Sequence, residues 1–330
     1  MADTRNDTPE TIPAGLARQL EAQYGAETAA RILAGYAAAR PTTLRANTLK
    51  TGRDALARRL DDAGIAWEPA PAPALADAFI IRSAREDAVR AIPAYENGEL
   101  YLQSLSAMLP ARALDPHPGE NILDMAAAPG GKTCQMAALS DGGALITACE
   151  KNHVRAERLR YNLAKQGASR VNVMECDARK LDDFFSFDKV LLDAPCSGSG
   201  TVRIIEGACK TGFSDELLAR SVKAQRALVA KALEVLRPGG TLVYATCSVL
   251  ADENERLLER ALEDWNAKAA RARRKGDTGP TARAEAALEP LPENLLEGVP
   301  LLPCSLPEAA VVCPTDLFEG FFFALIKKAR

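Results

Sequence analysis

The sequence predicts an α/β protein: a mostly parallel sheet with crossover helices, closed by a C-terminal antiparallel hairpin and preceded by a small α+β module. Three observations lead there. From about Glu99 onward, short apolar runs alternate with helical stretches, the pattern of a parallel sheet with crossover connections. Most of those runs are continuously apolar, as strands covered on both faces should be. Two of them, Val190-Leu191-Leu192-Asp193-Ala194-Pro195-Cys196 and Leu242-Val243-Tyr244-Ala245-Thr246-Cys247, run straight into a cysteine. The expected division is a helical and small α+β module at residues 1–98 and the large sheet domain at 99–330.

In chain order, residues 11–40 read as an Ala-rich helix broken at Pro41. A strand at 42–50, a helix at 54–63 stopped by Gly64, a short strand near 65–67, a Pro/Ala linker at 69–74 and a strand at 79–82 complete the small module. The core strands are expected at 121–126, 144–150, 171–177, 189–195 and 241–247, with a closing pair at 310–313 and 321–326. Between them, residues 154–166 put Leu159 and Leu163 on one helical face before the stop at Gly167. The longest helix is expected from Ser214, with Asp215 and Glu216 in its first turn and Pro238-Gly239-Gly240 after its end. Residues 268–290, rich in Ala, Arg and Gly, read as a mobile loop.

With 330 residues, 47% hydrophobic and 26% charged, the chain can bury a large core. No apolar stretch has the length of a membrane span, and the first ten residues lack a secretory hydrophobic core, so a cytoplasmic location without membrane partners is expected. Eight cysteines are scattered with no C-x-x-C pair, and there are two histidines, a pattern of reduced thiols and no metal site. A net charge of −3 argues against a protein that coats nucleic acid indiscriminately. Any such surface must be local, for example residues 151–180, with eight Lys or Arg against three Asp or Glu, or the cluster Lys268, Arg271, Arg273, Arg274 and Lys275. Solvated helix faces account for these equally well.

A lone cysteine in an apolar run is ordinarily inert core. Cys196 and Cys247 differ, because each follows its hydrophobic run and each is succeeded by Ser; after the first comes Gly198-Ser199-Gly200, a tract suited to a tight loop. Ligands of open parallel sheets sit outside the carboxyl ends of the strands, so neighbouring strands would point both sulfurs into one crevice. One thiolate could then attack a substrate while the other assists a later step.

The other half of the crevice begins with Ala126-Ala127-Ala128-Pro129-Gly130-Gly131-Lys132-Thr133. A phosphate loop needs Gly where Ala126 stands, so the deep triphosphate cradle is not expected, yet small residues before a helix still let a ligand approach the backbone. Glu150 ends the second strand, where an acid binds the two ribose hydroxyls of a nucleoside cofactor; Asp177 and Asp193 follow at or near the ends of the next two. Acids after strands are commonly turn residues, but three in succession behind a small-residue loop point to an adenosine-bearing cofactor without phosphates. S-adenosylmethionine fits that description.

These segments resemble the Sun/Nop family of S-adenosylmethionine-dependent RNA 5-methylcytosine methyltransferases. The resemblance rests on Arg45-Ala46-Asn47-Thr48-Leu49-Lys50, Gln103 with Ser106, Leu123 to Thr133, Asp193-Ala194-Pro195-Cys196-Ser197-Gly198, Thr246-Cys247-Ser248 with Glu253-Asn254-Glu255, and Gly320-Phe321-Phe322, in family order from about residue 42 to the end. It implies a Rossmann-like class I methyltransferase sheet, with Ala126 to Lys132 wrapping the methionine part of the cofactor, Glu150 on its ribose and Asp177 at the adenine amine. It further implies that Asp193 faces both cofactor and base, that Cys247 is the nucleophile, and that Cys196 assists release. Carbon 5 of cytosine is a poor nucleophile until a thiolate adds at carbon 6, which explains the residue types. The base must leave its stack, so single-stranded or flipped RNA is the expected partner.

Ala126 stands where the family often has cysteine, and Ile204 to Gly207 lack the basic residue and proline often found there. With no added RNA-binding domain visible, the module around Arg45 and Asn47 is expected to contact RNA. A monomer is expected, with ribosomal RNA favoured over transfer RNA by analogy. A DNA cytosine methyltransferase would use the cysteine after proline, whereas Glu253-Asn254 follows the other one. A non-catalytic RNA-binding assembly factor and a nucleotide hydrolase are the remaining alternatives.

Overall fold

The computed structural model describes residues 12–206, 208–209, 212–274 and 284–330. Near the amino terminus, Thr42–Ala46 (β1), Glu68–Pro69 (β2), Ala78–Ile81 (β3) and Leu100–Leu102 (β4) form an antiparallel sheet in the order β2-β3-β1-β4. The helix Arg53–Asp62 buries Leu56 and Leu60, which share a cluster with Leu44, Phe79 and Ile81 of the sheet. The long helix Ala14–Ala37, broken at Gly25 (φ 75°), instead packs Leu16, Leu20, Ile32 and Tyr36 into the cluster that holds Leu123, Val190 and Tyr244 of the large sheet. Packing therefore crosses residue 98 in both directions: β4 completes the small sheet from beyond it, and the first helix belongs to the large core.

The large sheet comprises Asn121–Asp124 (β5), Leu145–Cys149 (β6), Val171–Met174 (β7), Phe187–Asp193 (β8), Leu236–Thr246, Ala286–Glu289, Leu301–Leu302, Ala309–Val312 and Phe321–Lys328. A separate two-residue ribbon, Ile204–Ile205 (β9) and Ala208–Cys209 (β10), sits between β8 and the next sheet strand, so the last five are β11 to β15. The order is β13-β14-β15-β11-β8-β5-β6-β7, with β12 also on β15. Strands β5 to β8 and β11 are parallel to their mutual neighbours, and β15 runs antiparallel to β11. The chain steps outward from β5 to β7 and then returns to β8 on the other side of β5. That reversal opens a crevice at the carboxyl ends of β5 and β8, where ligands of such sheets bind.

The expected helices appear with small shifts. His153–Gln166 ends at Gly167 in the left-handed region, and Asp215–Val235 starts where the Ser214 side chain accepts from the Leu217 amide at 3.1 Å. The stretch 268–290 read as a mobile loop is corrected on both flanks. The helix Glu255–Arg274 runs through its start, and β12 pairs with β15 near its end. Asn266 holds the return by donating to Ala286 O and accepting from Ala286 N, both at 2.9 Å, and Trp265 Nε1 donates to Ala284 O. Backbone pairing and these two side chains replace the large apolar residues the segment lacks; its middle, 275–283, lies outside the described residues. Among the described residues, no helix is long and apolar enough to cross a membrane.

Candidate active site

Strands β8 and β11 are parallel neighbours, with Leu192 beside Tyr244 and Asp193 beside Ala245, so the chain leaves both at the same edge. The strands end at Asp193 and Thr246, and the two cysteines lie just beyond, with Cys196 Sγ 3.1 Å from Cys247 Sγ. Backbone and hydroxyl contacts zip the two loops together. Gly200 N donates to Cys247 O at 2.9 Å, the Ser199 and Ser248 hydroxyls meet at 2.7 Å, and Val249 N donates to Ser199 Oγ at 3.1 Å. Gly200 leaves no room for a side chain: a Cβ there would lie 2.1 Å from Gly320 O. The Cys196 thiol is held protonated well above the usual cysteine range by its hydrogen bond with Cys247, by burial, and by the negative charges of Cys247 and Glu253.

Next to the thiols, the loop after β5 turns at Gly130 (φ 110°) into the helix Gly131–Leu139. Gly130 N closes the turn onto Ala127 O at 2.8 Å, and Ala127 N reaches Cys149 O of β6 at 3.0 Å. Arg155 Nη2 and Asn162 Nδ2 donate to the carbonyls of Ala128 and Pro129 at 2.8 and 2.7 Å. The loop is thus held from outside while its small side chains border a pocket of about 210 Å³, lined among others by Tyr101, Gln103, Ala126, Ala127, Ala128, Pro129, Gly131, Lys132, Asp124 and Asp193.

Two carboxylates and one ammonium set the charge of that pocket. Lys132 Nζ pairs with Asp193 Oδ2 at 2.7 Å. Burial disfavours the lysine's charge, but the charge and hydrogen bond of Asp193 outweigh it and hold the ammonium above its ordinary range, with Asp124 and Cys247 adding to the effect. Asp124, 1% exposed, accepts from Thr133 Oγ1 at 2.7 Å through Oδ2, while its buried Oδ1 finds no hydrogen-bond partner among the described residues. Burial pushes its pKa up to about 6, Thr133 opposing and the Asp193 charge contributing. An orphaned acceptor beside a backbone cradle suits a ligand that brings a cationic group.

The other expected residues fall in different places. Gly130, Glu150 and Asp177 stand outside the lining of this pocket. Glu150, 5% exposed, lies just past β6 and accepts from Asn152 N at 2.8 Å, with Arg155 Nε 3.4 Å away. Asp177 lies past β7 with its carboxylate engaged by Arg179, whose hydrogen bonds chiefly lower its pKa to about 2.

Arg45 and Asn47, expected to touch RNA, are buried at 1% and 0% exposure. Arg45 donates to Gln103 Oε1 (2.9 Å) and Gly131 O (3.0 Å) and lies over the Tyr101 ring; Asn47 Nδ2 donates to Gly98 O (2.7 Å) and Gln166 O (2.8 Å). Both join the small sheet to the helices Gly131–Leu139 and His153–Gln166, a correction forced by carbonyls that only the folded chain brings beside them. Sequence reasoning gave no role to Asp124, Gln225 or Tyr101, and used Glu253 only as part of a motif. An acid in an otherwise apolar strand end was the available signal for Asp124.

Residues 111–326 match the family model of the 16S rRNA methyltransferase RsmB/F, and residues 12–86 match that of the RsmF/B-like ferredoxin-like domain. Among curated relatives, the 25S rRNA (cytosine-C(5))-methyltransferase nop2 of Schizosaccharomyces pombe is 37% identical over 230 residues, 68% of this chain and 37% of that protein. The ribosomal RNA small subunit methyltransferase F of Shewanella oneidensis is 39% identical over 229 residues, 68% of this chain and 48% of that protein. The matched region thus covers less than half of either relative. Among solved structures, a methyltransferase homologue from Pyrococcus horikoshii superposes with a TM-score of 0.74 at 28% identity, covering 96% of this chain and all of that one. NSun6 from the same organism, solved with SFG, gives 0.80 at 22% identity over 97% and 99% of the two chains, a likeness of fold.

Proposed function

The chain belongs to the 16S rRNA methyltransferase RsmB/F family, and on that premise we propose that it methylates carbon 5 of a cytosine in RNA, with ribosomal RNA as the substrate class. The observation that carries this reading is the 3.1 Å approach of Cys196 and Cys247 beside the Lys132–Asp193 pair. Ribosomal RNA is favoured because both curated relatives described above carry it in their names.

S-adenosylmethionine would supply the methyl group from its sulfonium. Its methionine end suits the loop from Ala126 to Lys132 and the unpartnered oxygen of Asp124, its ribose suits Glu150, and its adenine amine suits Asp177. Arg179 must then share or yield the Asp177 carboxylate.

On the RNA side, the Cys247 thiolate adds to carbon 6 of the flipped cytosine, and the electron pair of the 5,6 double bond becomes available at carbon 5 to accept the methyl group. Asp193, held by Lys132 at 2.7 Å, would in its protonated form donate to ring N3 and support the negative charge that develops there as the thiolate adds. Water or another base takes the carbon 5 proton, the C–H pair re-forms the 5,6 double bond and Cys247 leaves as the thiolate with the C–S pair, with Cys196 assisting this second half. A cleft of about 1010 Å³ beside the segment Arg203 to Glu206, bordered by Arg40, Arg82, Arg85 and Arg203 as well as Glu86, Asp87 and Glu206, offers the RNA backbone a path.

The test is incubation with ribosomal and transfer RNA transcripts and S-adenosylmethionine, followed by nucleoside mass spectrometry and denaturing gels. Cys247→Ala should give neither 5-methylcytosine nor adduct, and Cys196→Ala should accumulate a covalent protein–RNA species. An adduct that survives Cys247→Ala but not Cys196→Ala would reverse the two roles. Methylation of transfer RNA alone would move the substrate class.

A further inference from the structure

Outside the residues that touch the reacting atoms, one buried group is tied to both sides of a catalytic cysteine. Glu253 is fully buried, and its two carboxylate oxygens receive Ser197 N at 2.7 Å, Ser197 Oγ at 2.6 Å and Gln225 Nε2 at 3.2 Å. The same Gln225 amide donates to Pro195 O at 2.9 Å. The residues immediately before and after Cys196 are thus fixed to one carboxylate and its amide neighbour.

The adjacent residue does the same for the other loop. Asn254 accepts from Thr246 Oγ1 at 2.6 Å and donates to Ser248 O at 3.0 Å, the residues flanking Cys247. Tyr244 on β11 donates to Glu253 O at 2.6 Å and anchors this turn to the sheet.

We propose that Glu253 is a positioning residue that fixes the Pro195-Cys196-Ser197 loop so that Cys196 donates its S–H to the Cys247 sulfur, supporting the nucleophile before Cys196 acts in release. The inference rests on the assignment of the two thiols made above. The negative charge of Glu253 favours the protonated form of Cys196 and so keeps it a donor. A hydrogen bond to a thiolate is charge-assisted and lowers the cost of forming it.

Glu253→Gln keeps the size of the side chain but removes its charge and forces the Ser197 hydroxyl to accept from the new amide, so the charge-assisted hold on the Pro195-Cys196-Ser197 loop weakens. The measurement is alkylation of Cys247 by iodoacetamide in the folded protein at pH 7, located by peptide mass mapping, with circular dichroism to confirm folding. Cys247 should react about tenfold more slowly in Glu253→Gln, the scale of one charge-assisted hydrogen bond, and more slowly, to a smaller degree, in Ser197→Ala. Cys196→Ala should slow it about tenfold, and Cys196→Ser, which keeps a donor, should restore it.

A purely structural role for Glu253 predicts the opposite sign, since a loosened loop exposes Cys247 and speeds its alkylation. Unchanged or faster reaction in folded Glu253→Gln and Ser197→Ala, or equal rates in Cys196→Ala and Cys196→Ser, overturns the proposal. If Glu253→Gln does not fold, Ser197→Ala and the Cys196 pair decide it. Alkylation requires neither RNA nor cofactor, so failure here is separate from failure of methyl transfer, which the RNA assay reads.

Discussion

Lys132 Nζ lies 2.7 Å from Asp193 Oδ2 and joins the helix that follows β5 to the end of β8, across the gap where the strand order reverses. The contact makes one unit of the small-residue loop Ala126 to Lys132 and the acid at the end of β8. The lysine side chain is 13% exposed and the aspartate 31%, so the pair is shielded but not sealed from water.

Removing the ammonium leaves the carboxylate without its counter-ion. Breaking a fully buried pair from one side costs about 3–5 kcal/mol, and the partial exposure of Asp193 reduces the expectation for Lys132→Met to about 2 kcal/mol in urea unfolding. Methyl transfer should fall about a hundredfold because Asp193 loses its orientation, a scale of about 2.7 kcal/mol in the barrier. Retained activity with the full loss of stability would separate the pair from catalysis.

Asp124 gives a pH dependence of defined sign. Its pKa is raised to about 6 in the folded protein, so the unfolded chain releases this proton first as pH rises from about 4. This contribution favours the folded state below pH 4 and is lost as pH climbs through 6; Asp124→Asn should flatten that part of the stability profile. A cationic ligand favours the ionised carboxylate, so affinity for S-adenosylmethionine should rise about tenfold from pH 5 to pH 7, and calorimetry should record proton release. A flat affinity profile would detach Asp124 from the cofactor.

The core strands and the two thiols were legible in sequence because continuous apolar runs mark strands buried on both faces, and a cysteine after such a run stands at a strand end. The neighbourhood of β8 and β11 was not legible, since their pairing joins residues about fifty positions apart and depends on where β5 inserts. The same separation hides Glu253, whose partners Ser197 and Gln225 are 56 and 28 residues away. Strand β12 was hidden for another reason: Ala286-Ala287-Leu288-Glu289 has little hydrophobic signal and forms by pairing with β15.

Glu150 tests the nucleoside half of the site. It accepts from Asn152 N and lies near Arg155, so Glu150→Gln retains shape and one acceptor while removing the charge. Loss of a charged acceptor for a ribose hydroxyl should weaken S-adenosylmethionine binding by about tenfold, or about 1.5 kcal/mol, measured by calorimetry. Thermal stability without ligand should change less, since the Asn152 amide can keep its bond. An unchanged affinity would place the ribose elsewhere.

Arg45 separates a structural charge from an RNA contact. At the surface, a phosphate-binding arginine would contribute about one unit to the slope of log affinity against log salt, and its removal would weaken RNA uniformly. In the fold, Arg45 is buried with its donors on Gln103 and Gly131, over Tyr101, and burial lowers the pKa of its guanidinium. Arg45→Met should therefore leave the salt slope of RNA binding unchanged. It should also lower stability by about 3 kcal/mol, because two hydrogen bonds and the packing of a long side chain are lost together. The start of the Gly131 helix loses a restraint, so S-adenosylmethionine affinity should fall even without RNA. A reduced salt slope with unchanged cofactor affinity would return Arg45 to the RNA surface.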